Sequence, residues 1–378
     1  MPRPPPPGAS PPESRLTASE QPGGRLPVFV EPGFPTRVQA ARLLLRWLLN
    51  RPLPGDCATG WRDVLLRPPA GEDLPAAPGR LWLVPRPAPA VLLAAGVTPQ
   101  GTADPRLVRL ATAIARTGRV VFAPQLALAR HELDEADIER LVTATRALHA
   151  HPRVRGSVAM LGFSFGASYA LLAAADPRVG ERLRLVASFG GYGDLGGIIQ
   201  AATTGVTLLD GQRYEWRPDP PVTAREAVID LIIQQGRLLG AETVEAVVAA
   251  LRGEMETPSL PPSARSIHEL VTNRDPAATS TLLSALPPPL SDLITRLSPV
   301  CVAGRVRAPV VLLHAENDPI IPYAELRRLV KAFPHAHGGV VRLFRHVDFR
   351  PSPRQIRQAT RDLRVAWQFA TTLLAAGE

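Results

Sequence analysis

Lysine is almost absent. Of the 43 basic residues in the 378-residue chain only Lys331 is a lysine, and the remaining 42 are arginines spread from end to end. The formal net charge of +9 therefore arises without a basic stripe or patch. Scattered arginine beside 42 prolines and abundant alanine reads as compositional bias rather than as a track for phosphates, so no nucleic-acid partner is expected. Cysteine is nearly missing as well: Cys57 and Cys301 cannot build a disulfide framework, and neither sits in a CxxC or a Cys/His cluster. That excludes structural zinc and predicts a reducing, cytoplasmic setting. Long unbroken apolar runs are also lacking. The one stretch that could mislead a hydropathy scan, 156–175, has no charge over 20 residues but holds three glycines and three serines. It reads as a buried strand, a turn and a buried helix, and no transmembrane segment is predicted. The start, Met-Pro-Arg followed by prolines, has no apolar stretch of the kind a secretory signal needs, so export by that route is not expected.

What is present is enough apolar material for a sizeable core: 45% of the chain is hydrophobic and 20% charged. The length fits two domains or one large domain carrying insertions. Residues 1–36 contain 11 of the prolines and no apolar periodicity, which predicts a flexible tail. Residues 37–50 place Val38, Ala41, Leu45 and Leu48 on one face. This amphipathic helix is compatible with a weak contact to a membrane surface, although most such helices pack on their own protein.

The chain then alternates. Strands are predicted at 80–84, 88–95, 119–123, 157–161 and 183–189, with helices at 105–116, 134–150 and 165–175 between them. Strands spaced by helices of this length imply a parallel sheet covered on both faces. From 194 to 300 the strand signal stops and helical pieces take over at 224–239, 241–252 and 290–296. The sheet pattern resumes with a strand at 309–314, a helix at 323–333, a strand at 339–344 and a last helix at 354–374. The expected organisation is thus a tail (1–36), the first part of an α/β core (37–193), a helical insertion (194–300) and the second part of the core (301–378).

The strongest chemical signal is Gly162-Phe163-Ser164-Phe165-Gly166. The pentapeptide alone is weak evidence, but its context is that of a nucleophile elbow: an apolar strand before the serine, an apolar helix after it, and small residues two positions either side where the backbone turns sharply. A serine hydroxyl needs a histidine to take its proton and a carboxylate to hold that histidine. The segment Glu316-Asn317-Asp318-Pro319 follows a strand and would lie at the same sheet edge as Ser164. Asp318 is the preferred acid, with Glu316 its competitor. Of the eight histidines, His346 alone comes directly after the final predicted strand. His335 and His337 precede it, at the far edge, and His314 falls at a buried strand end. For an oxyanion, the N–H groups of Phe165 and of Val97, in the loop after the 88–95 strand, are the candidate donors. Gly96 would allow close approach there, and Gly96 and Phe163 are the expected substrate-facing residues.

On these residues, the strand 91–95 with its Gly96 loop, the GFSFG elbow, the segment VVLLHAENDPIIP and His346, the chain resembles the α/β-hydrolase superfamily, of the dienelactone-hydrolase and acylaminoacyl-peptidase-like kind. The resemblance covers about 80–190 and 300–375. It implies an α/β-hydrolase fold, a mostly parallel eight-stranded sheet with helices on both faces and a helical cap in place of 194–300. It also implies a Ser164, Asp318, His346 triad that needs no cofactor or metal. The expected function is a serine hydrolase cleaving the ester of a small or medium acyl group. A non-catalytic ligand- or partner-binding member of the fold, or an acyltransferase or peptidase with the same triad, are the alternatives. The insertion is expected to lie over Ser164 as a lid and to line the acyl pocket with its 244–251 stripe, Val244, Val247, Val248 and Leu251.

Overall fold

The computed structural model describes residues 33–49, 53–57, 59–218, 221–349 and 359–376. Of the predicted tail, 1–32 lie outside the described residues, as does the first part of the expected last helix. The amphipathic helix forms as α1 (Phe34–Leu49). Its buried residues Ala40 and Leu43 belong to the same apolar layer as α12 (Ala359–Ala375), and Trp47 stacks on Phe344 at 5.3 Å.

Eight strands make one sheet: β1 (Gly60–Leu66), β2 (Ala77–Leu83), β3 (Ala88–Ala94), β4 (Val120–Pro124), β5 (Val154–Phe163), β6 (Leu183–Phe189), β9 (Val310–Ala315) and β10 (Ala336–Val341), in the order β1-β2-β4-β3-β5-β6-β9-β10. Only β2 runs against the other seven. This order with its single reversed strand is that of the α/β-hydrolase fold. Central strands such as β3 (APAVLLA), β4 (VVFAP) and β9 (VVLLHA) are apolar on both faces because both faces are covered. Alternate side chains feed two cores: Ala90, Leu92 and Ala94 go to one, Val91 and Leu93 to the other.

Helix α2 (Pro105–Ala115) starts where Asp104 caps it, the carboxylate accepting the N–H of Arg106 at 2.8 Å with proline at the first position. It lies with α1 and α12 on one face; α3 (Ala136–Ala150), α4 (Phe165–Ala174) and α11 (Ala324–Ala332) cover the other. After β3 the chain crosses to β4 on one side, and after β5 it crosses to β6 on the other. The loops at the C-terminal ends of β3 and β5 therefore part, leaving a crevice at the switch point.

The insertion leaves after β6 and returns before β9. It holds α5 (Leu195–Thr204), α6 (Pro221–Gln234), α7 (Ala241–Leu251), α8 (Pro262–Thr272), α9 (Thr279–Ser284) and α10 (Pro288–Arg296). It also contains a hairpin that the sequence reading missed, β7 (Val206–Leu209) with β8 (Gln212–Glu215). Ile198, Leu231, Ile232, Val247, Ile267 and Leu293 are buried in the same core as α4, so the insertion thickens that helical layer. Within the expected 244–251 stripe, Val247 is buried but Leu251 is 43% exposed.

Other expectations shift by a few residues. The strand expected at 80–84 begins earlier, because β2 pairs along its whole length with β1, which was not anticipated. The strand expected at 339–344 is β10: Ala336 pairs with Val310 and Val341 with Ala315, so the ladder ends before Phe344.

The base of the insertion is held by Glu325, a fully buried carboxylate on α11 that accepts the N–H groups of Gly193 and Asp194, each at 2.9 Å, and pairs with Arg328 at 3.2 Å. Glu325→Ala should strand the buried N–H of Gly193 and the part-buried one of Asp194 and lower stability by about 3 kcal/mol, read from the urea unfolding midpoint, while Glu325→Gln, which keeps an acceptor, should cost clearly less.

Candidate functional site

Ser164 stands between β5 and α4 with φ 54° and ψ −132°, a backbone state that side-chain-bearing residues rarely adopt. The turn is clamped on both sides. Ser164 N–H donates to the carbonyl of Phe189 at 2.9 Å, and Ala167 N–H donates back to the carbonyl of Ser164 at 2.9 Å. A methyl on Gly166 would come within 2.2 Å of the Ala95 carbonyl oxygen, and one on Gly162 within 2.4 Å of Ala167 Cα. Small residues at both positions are a steric requirement here, at a strain cost of about 1–3 kcal/mol for the serine. The same crowding applies across the crevice: a methyl on Gly96 would stand 2.7 Å from Ser164 Cβ. Gly96 thus lets the loop after β3 pass directly over the serine.

Asp318 lies in the loop after β9, completely buried. Its Oδ1 accepts the N–H groups of Ile320 (2.8 Å) and Ile321 (2.9 Å), and its Oδ2 lies 2.7 Å from Nδ1 of His346. Burial pushes this carboxyl up, but the charge and hydrogen bond of His346 and its other partners outweigh it and hold the group below the usual carboxylate range. Since a carboxylate only accepts, Nδ1 carries the proton and Nε2 is left as the basic nitrogen. Glu316, the competing acid, forms a fork with Arg342 instead (2.6 and 2.9 Å).

His346 occupies the two-residue turn of a short hairpin, β11 (Phe344–Arg345) with β12 (Asp348–Phe349), again at positive φ, 57°. His337 lies inside β10 opposite Val311, towards the N-terminal end of the sheet, and His335 precedes the strand. His314, at the end of β9, is buried with Nε2 3.0 Å from the carbonyl of Ile321 and 3.6 Å from Asp318 Oδ2. A third contact comes from the insertion: the indole N–H of Trp216, just past β8, donates to the backbone carbonyl of Asp318 at 3.0 Å. Neither Trp216 nor His314 was read from sequence as part of the site; no local motif marks a contact that depends on where a distant segment folds back.

Ser164 and His346 share a cavity of about 600 Å³ with Gly96, Val97 and Phe163, within the size range of small-molecule sites. Phe165 opens α4 beside the serine and turns its buried ring onto Tyr192 at 5.0 Å. The remaining wall includes Trp47 of α1, Leu107 and Leu110 of α2, and Val347. Among the described residues, none of 194–300 lines this cavity, so the expectation that the 244–251 stripe faces the serine is not met. Val247 of that stripe is buried among the insertion's own helices, where α7 packs against α8, and Leu251 is exposed.

The two rims of the cavity are tied together. Asp104 accepts from Thr98 Oγ1 (2.8 Å) and from Arg106 (2.7 Å), and Arg106 reaches Asp348 at 3.1 and 3.2 Å. Burial raises the Asp104 carboxyl, but these donors dominate and bring it down to about 2.

No family model matches the chain, and no curated protein does. Among solved structures it is similar to an acylaminoacyl peptidase of Pyrococcus horikoshii (12% identity over 84% of this chain, TM-score 0.46) and spans 41% of the length of that protein. It is also similar to the rice cell wall degrading esterase LipA from Xanthomonas oryzae (16% identity, 85% of this chain and 92% of that one, TM-score 0.49). A third is esterase B from Lactobacillus Rhamnosis (13% identity, 89% and 96%, TM-score 0.47). Identities and scores this low say nothing of substrate or mechanism, which rest on the geometry of the site itself.

Burial holds the imidazole of His314 below its ordinary value of 6.5. A group that binds protons less readily when folded stabilises the fold above its unfolded pKa and loses that contribution as pH falls towards the folded one. Melting temperatures measured from pH 7 down to pH 5 should therefore fall more steeply for the native protein than for His314→Gln.

Proposed function

We propose that the protein is a serine hydrolase that cleaves a carboxylic ester through an acyl-enzyme on Ser164. One observation carries this reading: a serine on a strained strand-to-helix turn shares a cavity with His346, whose other ring nitrogen is held 2.7 Å from a buried carboxylate.

In this reading, His346 Nε2 takes the hydroxyl proton as Ser164 Oγ attacks the ester carbonyl carbon. The carbonyl oxygen becomes an oxyanion facing the N–H of Phe165, at the open N-terminal turn of α4, and that of Val97. Collapse of the tetrahedral intermediate breaks the bond to the alkoxy oxygen, and His346 hands the proton to the departing alcohol. Water, deprotonated by the same imidazole, then attacks the acyl ester on Ser164; the bond to Ser164 Oγ breaks, the imidazolium returns the proton to that oxygen, and the carboxylic acid leaves. Asp318 stays ionised throughout and stabilises the imidazolium formed in each half-reaction. Its fixed hydrogen bonds to Ile320 and Ile321 keep it from turning away. The Thr98, Asp104, Arg106, Asp348 chain keeps the Val97 loop and the His346 hairpin in one relation, which such a mechanism needs because both rims act on the same reacting centre.

A fluorophosphonate probe should label Ser164 and should fail to label Ser164→Ala, with unchanged circular dichroism showing that the variant is folded. Absence of labelling in the native protein refutes the reading. In steady-state hydrolysis of 4-nitrophenyl butyrate, Asp318→Asn should lower the rate by about 10⁴, whereas Glu316→Gln, which breaks only the pair with Arg342, should stay within about fivefold of native; the reverse ranking would move the acid to Glu316.

A further inference from the structure

Arginines that are scattered along the chain are gathered in space. Parallel strands begin at one edge of a sheet, so the segments that lead into them converge there whatever their separation in sequence. Segments 84–88, 149–157, 176–184 and 304–309 lead into and open β3, β5, β6 and β9, four successive strands of the sheet, at the edge opposite Ser164. Together they hold eight arginines and two acids, Asp176 and Glu181. Asp176 is already engaged by Arg178, which also takes up Glu139 of α3. Arg86, Arg155, Arg184 and Arg307, one from each segment, are exposed, and their guanidinium groups have no ion pair or hydrogen bond among the described residues. Neighbouring strands lie about 4.8 Å apart, so the result is a continuous positive edge. The wall of the Ser164 cavity, by contrast, balances Arg106 and Arg109 with Asp104 and Asp348. Arg184 and Arg307 also border, with Glu181, a cavity of about 520 Å³ whose other side is formed by Thr372, Ala375 and Ala376 at the end of α12.

Helix α1 adds an apolar component to this edge. Arg119, just before β4, donates to Gln39 Oε1 and to the carbonyl of Leu374, each at 2.7 Å, and so ties the N-terminal half of α1 to the same end of α12. Trp47 reaches the Ser164 cavity, so the helix runs from this edge towards the catalytic one. Phe34 comes five residues before Gln39 and therefore projects about 7 Å beyond it. It is 80% exposed and Val38 40%, and Arg37 between them is exposed as well.

We propose that this edge docks on an anionic lipid bilayer. Lipid phosphates pair with Arg155, Arg184 and Arg307, one headgroup entering the cavity at the end of α12, while Phe34 and Val38 sink into the headgroup boundary. A nucleic acid would satisfy the arginines but offers nothing to the aliphatic side chain of Val38. The Ser164 cavity then opens away from the bilayer, and its substrate arrives from water. The docking surface does not depend on what Ser164 does.

The test floats the full chain with vesicles of phosphatidylcholine alone, or of phosphatidylcholine with about one-third phosphatidylserine. At equal lipid the anionic vesicles should carry at least ten times more protein, and the difference should vanish in high sodium chloride. Arg184→Gln/Arg307→Gln should weaken binding about 20-fold, since each arginine near such a surface contributes about fivefold. Arg86→Gln/Arg155→Gln, on the neighbouring strands, should show a similar loss, and Phe34→Ser should weaken binding about tenfold. All five side chains are exposed, so melting temperatures should stay at the native value. Arg109→Gln, which removes a charge at the catalytic edge, should leave binding within about twofold of native. Equal binding to neutral and anionic vesicles, or native binding by both folded double variants, overturns the proposal. It is overturned as well if duplex DNA displaces the vesicles and is held equally well by Phe34→Ser/Val38→Ser, which would make the edge a nucleic-acid surface.

Discussion

Between Gly96 and Ser164 there is no room for a methyl group, and much of the site follows from that closeness. The turn after β5 must be tight enough to lift the serine out of the sheet, and the loop after β3 must then pass within contact distance of it. Each side forbids a Cβ at a different position: Gly162 and Gly166 against the elbow's own backbone and the Ala95 carbonyl, Gly96 against the serine. The strain is held because β3, β5 and β6 are locked by register on both sides of the turn, with Ala94 opposite Gly162 and Phe163 opposite Phe189. A rigid sheet supplies the constraint, and the unusual dihedral angles of Ser164 are its local expression.

The second half of the site is organised by polar bookkeeping around one buried carboxylate. Both oxygens of Asp318 have partners, its backbone carbonyl accepts from Trp216, and the neighbouring carboxylate Glu316 is diverted to Arg342. Two acidic side chains two residues apart therefore have different fates because one points inward to a histidine and the other outward to an arginine. On the opposite rim, Arg106 bridges the two carboxylates Asp104 and Asp348.

Much of this was legible in the sequence, for a physical reason. Strands buried on both faces must be apolar throughout, so β3, β4, β5 and β9 announced themselves, and a turn that excludes side chains must be written in glycine. Placement of Asp318 and His346 required only that parallel strands end at one edge. What was hidden depends on pairing rather than on pattern. Strand β1 is largely exposed, with Trp61 and Leu65 open to solvent, and the β7–β8 hairpin is polar on its second strand. The last strand was placed three residues late because the apolar run through Phe344 continues past the ladder into the hairpin that bears His346. The stripes of the insertion said that those helices are buried without saying against what, and they pack on the face carrying α4 rather than over the serine.

The indole of Trp216 gives the insertion a different standing from a detachable cover. The hairpin that leads to it is fastened to α11 by Lys331 with Asp210 and by Arg327 set 5.5 Å over the ring of Tyr214, and its last link is the 3.0 Å bond to the carbonyl of Asp318. A segment joined in this way cannot be exchanged for one of another shape, as an interchangeable module could, without disturbing the residue that orients the histidine. On the other wall, Trp47 of α1 and Leu107 and Leu110 of α2 have no such bond to Asp318, so changes there leave the frame of the site whole.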